Sequence, residues 1–170
     1  MGSNPVSVYV YMNGFICFDQ ANSSCINGLN TNFDPNIVDG KVIYSEIKDQ
    51  TILNDIQNRI KLFNSSLSNI KIRWAISFSY VNMPIVNHND NTNQTNYFEI
   101  ILSTDGCNSF VFLLYKKINL YDQTAEISIK SNGQTSVTLN SADVADPSKN
   151  SLNSNGYVQK YIYKVDNNSC

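Results

Sequence analysis

The chain has 170 residues and a formal net charge of −2, a length that fits one domain with its own hydrophobic core. Only 15% of residues are charged. That near-neutral balance argues against nucleic acid or an anionic membrane as the main partner, because both require a basic surface. With 42% hydrophobic residues, 10 Tyr and 8 Phe, the chain is not disordered.

Residues 1–5, beginning Met1-Gly2-Ser3, read as a leader or tag remnant without the apolar core of a signal peptide. The first element follows, with Val6, Val8, Val10 and Met12 alternating against Ser7, Tyr9 and Tyr11. Asn13-Gly14 then turns the chain into Phe15–Phe18, a hairpin return. An Asn-rich loop is expected over 20–39, and a second strand over Lys41–Ile47. Between Thr51 and Phe63 the period changes: Ile52, Leu53, Ile56, Ile60 and Phe63 form one helical stripe, with Asp49 or Thr51 placed to cap it.

Ile70, Ile72, Trp74, Ile76, Phe78 and Tyr80 then alternate with period 2, predicting a strand with one face in a core and the other toward solvent. Tyr97–Thr104 and Ser109–Tyr115, joined through Asp105-Gly106, are apolar on both faces. Strands of that kind lie centrally in a sheet and are covered from both sides. Weaker strands are expected at 118–121, 126–130, 136–139 and 158–165, and polar loops at 82–96 and 142–155. Six of the seven glycines follow Asn or Asp, a pairing suited to turns that need positive φ. The predicted fold is therefore mainly β: a single antiparallel β-sandwich-like domain with one short α-helix near residues 51–63.

Asparagine is the unusual component, at 26 of 170 residues. It creates four glycosylation sequons, at Asn22, Asn64, Asn93 and Asn167, but chance pairing with 20 Ser and 8 Thr gives roughly the same number. The count is no argument for secretion; each site is an individual candidate. High Asn with little Ala and Arg matches an AT-rich genome. Four cysteines, Cys17, Cys25, Cys107 and Cys170, are compatible with two disulfides in three connectivities. Cys17 with Cys25 would close a short loop, and Cys107 with Cys170 would tie a hairpin to the C-terminus. Their spacing does not fit zinc. The longest apolar run, Phe110–Tyr115, is too short to insert into a membrane.

Catalytic chemistry finds little support. The sole histidine, His88, lies in a polar loop, so no nucleophile–base pair is evident. Glu46 and Glu99 fall on predicted strands with no spacing that links them as a carboxylate pair. Asp34, Asp39 and Asp90 could each offer a calcium ligand, but no repeat or EF-hand loop unites them. No catalytic, cofactor-binding or metal-ligating set is expected. Tyr157, Tyr161 and Tyr163 share one face of the last strand and would bind a partner or a sugar if exposed; the alternative is packing into the sandwich.

Five motifs occur in order along the chain. They are Asn13-Gly14-Phe15-Ile16-Cys17-Phe18, then Gly40-Lys41-Val42-Ile43-Tyr44-Ser45-Glu46, then Arg73-Trp74 after the helix. The fourth runs Asn96-Tyr97-Phe98-Glu99 to Leu102-Ser103-Thr104-Asp105-Gly106 and on through Ser109-Phe110 to Phe112 and Tyr115. The last is Ser154-Asn155-Gly156 before Tyr161–Asp166. Their order resembles that of the nidogen-type extracellular domain of nidogen, alpha-tectorin and mucin-4-like proteins. The resemblance spans 6–166, leaving 167–170 as a tail or the start of a following module. Departures at Ser45, Arg73 and Glu99 put ligand contacts shared by the family in doubt. The resemblance implies a non-catalytic extracellular module, secreted or in the ectodomain of a membrane protein. It also implies disulfides and a role in adhesion or matrix assembly through an extracellular protein or matrix component. A glycan-binding β-sandwich is the alternative.

Overall fold

The computed structural model describes residues 7–86, 95–120, 124–139 and 159–165. Two five-stranded antiparallel sheets carry ten strands: β1 Tyr9–Tyr11, β2 Phe15–Cys17, β3 Cys25–Asn30, β4 Lys41–Glu46, β5 Trp74–Met83, β6 Asn96–Thr104, β7 Ser109–Lys117, β8 Glu126–Ser131, β9 Gln134–Leu139 and β10 Gln159–Lys164. The first sheet has the order β1-β2-β3-β8-β9 and the second β10-β7-β6-β5-β4. One helix, α1 Gln50–Phe63, and a 3-10 turn at Ser65–Leu67 connect β4 to β5.

The expected mainly-β, sandwich-like domain with one helix is the fold observed. Register explains its layers. Cross-strand partners share a face, so Phe78, Ile100 and Leu113 point together toward the first sheet, while Ile101 and Phe112 point the other way. The inward set meets Ile16, Ile26, Leu29, Ile127 and Ile129 in the inter-sheet core. The outward set meets Leu53, Ile56 and Ile60 of α1 in a second core. Each such side chain contributes about 1.5–3 kcal/mol on burial. The chain is thus sheet on sheet on helix, and β6 and β7 are apolar on both faces because they form the middle layer.

Two tyrosine hydroxyls cross the inter-sheet core. The Tyr80 hydroxyl reaches the Phe15 carbonyl at 2.9 Å and the Tyr11 carbonyl at 3.1 Å, and the Tyr115 hydroxyl donates to the Gly28 carbonyl at 2.6 Å. Both rings bury fully while each hydroxyl keeps a partner, as a buried polar group must. The two rings flank Phe98 at 4.5 and 6.3 Å between centroids.

The helix begins where expected. Asp49 caps it by accepting from the Thr51 backbone N–H at 2.7 Å. The buried stripe is narrower than the sequence pattern: Leu53, Ile56 and Ile60 are buried, while Ile52 and Phe63 are exposed.

Three further expectations are corrected. The 20–39 loop contains β3, a buried strand. Its Asn27-Gly28 pair is no turn. Asn27 is buried and donates to Ser128 Oγ at 2.8 Å, and Gly28 sits at a register shift where a Cβ would lie 2.9 Å from Ile100. Glycine is required there by the approach of the second sheet, not by a turn. The period-2 run from Ile70 to Tyr80 is not one face. β5 starts at Trp74, and Ile70 and Ile72 pack with α1 in the second core, whereas Phe78 and Tyr80 enter the first. Residues 118–120 form no strand; there the Asn119 backbone N–H donates to the buried Asn96 side chain at 2.7 Å.

Asn132-Gly133 behaves as expected. Both residues have positive φ (49° and 75°) in the two-residue loop between β8 and β9, the requirement of a type I′ hairpin.

Candidate functional site

The α1 layer does not close completely on the second sheet. A cavity of about 500 Å³ lies between the start of α1 and the outer face of β4, β5, β6 and β7. Ile101, Phe112 and Leu114 form an apolar floor, Ile52 and Ile56 of α1 the opposite wall, and Glu46, Lys48, Asp49, Asp55, Arg59 and Glu99 are the charged residues around it. Two of the cations are paired: Arg59 Nε with Asp55 at 2.7 Å, and Lys48 Nζ with Glu46 at 3.0 Å. Lys48, by its hydrogen bond and its charge, holds the Glu46 carboxyl below the ordinary carboxylate range, with a smaller contribution from Trp74. The Thr51 backbone N–H does the same for Asp49.

β4 borders this cavity and is the edge of its sheet. Tyr44 faces the same way as buried Phe78, its register partner, yet is 71% exposed: the inter-sheet core reaches β4 at Val42 but leaves Tyr44 uncovered. Trp74, at the start of β5, is 39% exposed and donates from Nε1 to Glu46 Oε1 at 3.1 Å. Ile43 and Ile52 are also exposed. Tyr44 and Trp74 share the inter-sheet face of β4 and β5, whereas Ile43, Ile52 and the cavity lie on the helix side of the same strands. The sequence pattern placed Trp74 within a core face and gave Tyr44 no special status.

Glu46 and Glu99 both border the cavity, but the pleat separates them. Glu46 pairs with Ile76 and hence Leu102 on the inter-sheet face, whereas Glu99 pairs with Ser79 on the helix-facing side. Among the described residues no group of three or more His, Cys, Asp or Glu could hold a metal ion. Asp34 instead accepts from the backbone and side chain of Asn36. His88 and Asp90 lie outside the described residues, and no helix among those residues is long and apolar enough to cross a membrane.

Cys17 and Cys25 form a disulfide with Cα atoms 4.1 Å apart. Phe18 N–H donates to Ser24 O one step along the ladder, so 17 and 25 are a non-hydrogen-bonded pair, the closer of the two antiparallel spacings. Cys107 is disulfide-bonded as well; the expected partner Cys170 lies outside the described residues. Asn22 and Asn64 are exposed, while Asn93 and Asn167 lie outside the described residues. Tyr161 and Tyr163 are half-buried against the inter-sheet core, with the Tyr161 ring edge-on to Tyr115 at 6.1 Å. Burial first, then the neighbouring Tyr161, pushes the Tyr163 hydroxyl up to about 12. Tyr157 lies outside the described residues, as do 1–5 and 167–170.

The Thr104-Asp105-Gly106 stretch has a structural task. Asp105 accepts from the Cys107 and Asn108 backbone N–H groups at 2.8 and 2.6 Å, and Thr104 Oγ1 donates to the Asn108 carbonyl at 2.8 Å. These bonds close the β6–β7 hairpin around Gly106, whose φ is 101°.

Fold, disulfide and motif order together define an extracellular-type β-sandwich module. The family model of the nidogen-like domain matches residues 6–169, and the chain belongs to that family. The family is an extracellular module of larger proteins and in general non-enzymatic. Comparison with curated proteins and with solved structures gives no match.

Proposed function

We propose that this chain is a non-catalytic adhesion or matrix module of a larger secreted or cell-surface protein, and that it binds an extracellular protein or matrix component at the exposed face of the edge pair β4–β5. The observation that carries the reading is the exposure of Tyr44 and Trp74 on one face of the edge pair β4–β5. Buried aromatic anchors and pockets dominate the energy of protein interfaces, with charged groups at the rim. Here both aromatics stand on one uncovered face of the sheet edge, with the Glu46 carboxylate between them. The Cys17–Cys25 disulfide supports an oxidising, extracellular setting.

The test is binding of the purified protein and its Tyr44→Ala and Trp74→Ala variants to an array of extracellular proteins. The reading expects at least one binder whose signal falls at least tenfold in both variants. Binders indifferent to both would contradict it. Tyr161 and Tyr163 on the opposite edge strand, with Tyr157 preceding them in the sequence, are a second contact proposed on the same chemistry.

A glycan-binding role is the alternative, and the Trp74–Glu46 bond favours it specifically. An indole ring fixed beside a carboxylate offers a stacking face and a hydroxyl acceptor together. A glycan array that finds no binder would remove this reading.

A further inference from the structure

We propose that Asn64 carries an N-linked oligosaccharide that covers the exposed apolar end of α1; this rests on the extracellular reading above. Leu62 is 88% exposed and Phe63 51% exposed, and no described element covers them. The next residue is Asn64, the asparagine of the sequon Asn64-Ser65-Ser66.

The local geometry presents this asparagine outward. Asn64 ends α1 and starts the following 3-10 turn. Its Oδ1 accepts from both the backbone N–H and the hydroxyl of Ser66, at 3.0 and 2.7 Å. The sequon hydroxyl therefore sits on its own asparagine. Oδ1 is turned into the cap, so Nδ2 is turned away from it. Asn64, Ser65 and Ser66 are all exposed.

Asn22 is also exposed but differs in its hydrogen bonds. Its Oδ1 accepts from the Tyr11 hydroxyl at 2.7 Å, and its sequon hydroxyl, Ser24 Oγ, accepts from the Asn132 backbone N–H instead. Its loop is held by the Asp19 carboxylate on Ser23 and Ser24 and closed by the Cys17–Cys25 disulfide. We infer that Asn64 is modified in preference to Asn22.

The co-reactant is a lipid diphosphate-linked oligosaccharide with a reducing-end N-acetylhexosamine. Asn64 Nδ2 bonds to the sugar C1 as the C1–O bond to the diphosphate breaks. One Nδ2 proton passes to the transferase, and the lipid diphosphate leaves. No oxidation or reduction occurs. Once attached, the first sugar lies next to Phe63 and Leu62, where its apolar ring face shields them from water.

The experiment uses the full-length protein recovered from its own cells. Peptide N-glycosidase treatment in heavy-oxygen water marks each glycosylated Asn as labelled Asp, and the same sample is mapped for free thiols. The expected result is label at Asn64 with Cys17 and Cys25 oxidised. Oxidised cysteines with unlabelled Asn64 would overturn the glycan and leave the extracellular setting standing. Free thiols without label at any site would overturn both.

Because Asn64→Gln also alters a helix cap, the paired variants are Ser66→Ala and Ser66→Thr, which leave Asn64 and the backbone donor in place. Ser66→Ala should lose one oligosaccharide mass step and Ser66→Thr should keep it; retention in Ser66→Ala contradicts the assignment. Covering is read separately. Enzymatic removal of the sugar should increase retention on a phenyl matrix, and Phe63→Ser should abolish most of that increase. Unchanged retention on deglycosylation would overturn the covering role.

Discussion

The indole N–H of Trp74 donates to the Glu46 carboxylate at 3.1 Å, joining the edge strand β4 to its neighbour while both side chains stay open to solvent. Lys48 holds the other carboxylate oxygen, Oε2, at 3.0 Å. A tryptophan used only for packing would be buried. Here the ring is held at the surface, on the same face of the sheet as Tyr44.

That arrangement separates binding from stability. Trp74→Ala and Tyr44→Ala should each shift unfolding by less than about 1 kcal/mol, as surface substitutions do. Each should weaken partner binding by about 2 kcal/mol or more, roughly 30-fold, as truncation of an aromatic anchor does. Urea titration and surface plasmon resonance on the same preparations check both halves.

Two turn glycines should respond very differently to alanine. At Gly133 a Cβ meets nothing within 4 Å, so only the positive φ of 75° opposes it, and the cost should be about 1 kcal/mol. At Gly14 φ is 92° and a Cβ would lie within 2.9 Å of the Leu29 carbonyl carbon, in backbone of the neighbouring β3. Gly14→Ala should cost about 3 kcal/mol or more and separate the β1–β2 hairpin from β3. Denaturation midpoints of the two variants provide the comparison.

How far such features were legible depended on whether the cause was local. The two-sided apolarity of β6 and β7 correctly implied layers on both faces, although it did not say that α1 was one of them. The helix and its Asp49 cap were legible because period and capping are short-range. β3 was not: Asn27-Gly28 reads as a turn, and only the distant Ser128 and Ile100 make it a buried strand. Nor was the candidate site. The alternation around Trp74 is the same whether the opposing sheet extends over it or stops short, and where the first sheet stops is a property of the assembled sandwich. The resemblance supplied the extracellular setting but no contact residues, since Tyr44 and Trp74 lie in motifs that depart from the family pattern at Ser45 and Arg73.

Alkaline pH should unfold the protein through its buried tyrosines. Burial pushes the hydroxyls of Tyr80 and Tyr115 well above the ordinary value of 10, with a smaller effect of Tyr161 and Tyr163 on Tyr115. The folded state then binds more protons than the unfolded state above pH 10. The stabilisation is complete below pH 10 and is lost as pH rises from there toward the raised folded values. Tyr115→Phe should cost about 1–2 kcal/mol at neutral pH, because the Gly28 carbonyl loses its donor, and should flatten the alkaline loss. Stability measured from pH 7 to pH 12 tests the slope.

Reduction should destabilise the β2–β3 hairpin. The Cys17–Cys25 bond closes a loop with sequence separation 8, for which chain entropy gives about 2–3 kcal/mol. Replacing both cysteines by Ala should lower stability by about that amount without changing the fold, because Ile16 and Ile26 still anchor both strands in the core. Circular dichroism and thermal melts with and without reductant report the difference.

The most direct test of the partner-binding face is site-specific photocrosslinking on living cells. A photoreactive phenylalanine analogue is placed at position 44, with position 10 on β1, also exposed, as the control. A discrete protein adduct at 44, absent at 10 and lost when Trp74→Ala is added, is the expected result. No adduct at 44, or equal adducts at 44 and 10, would contradict a partner site at the exposed face of β4–β5.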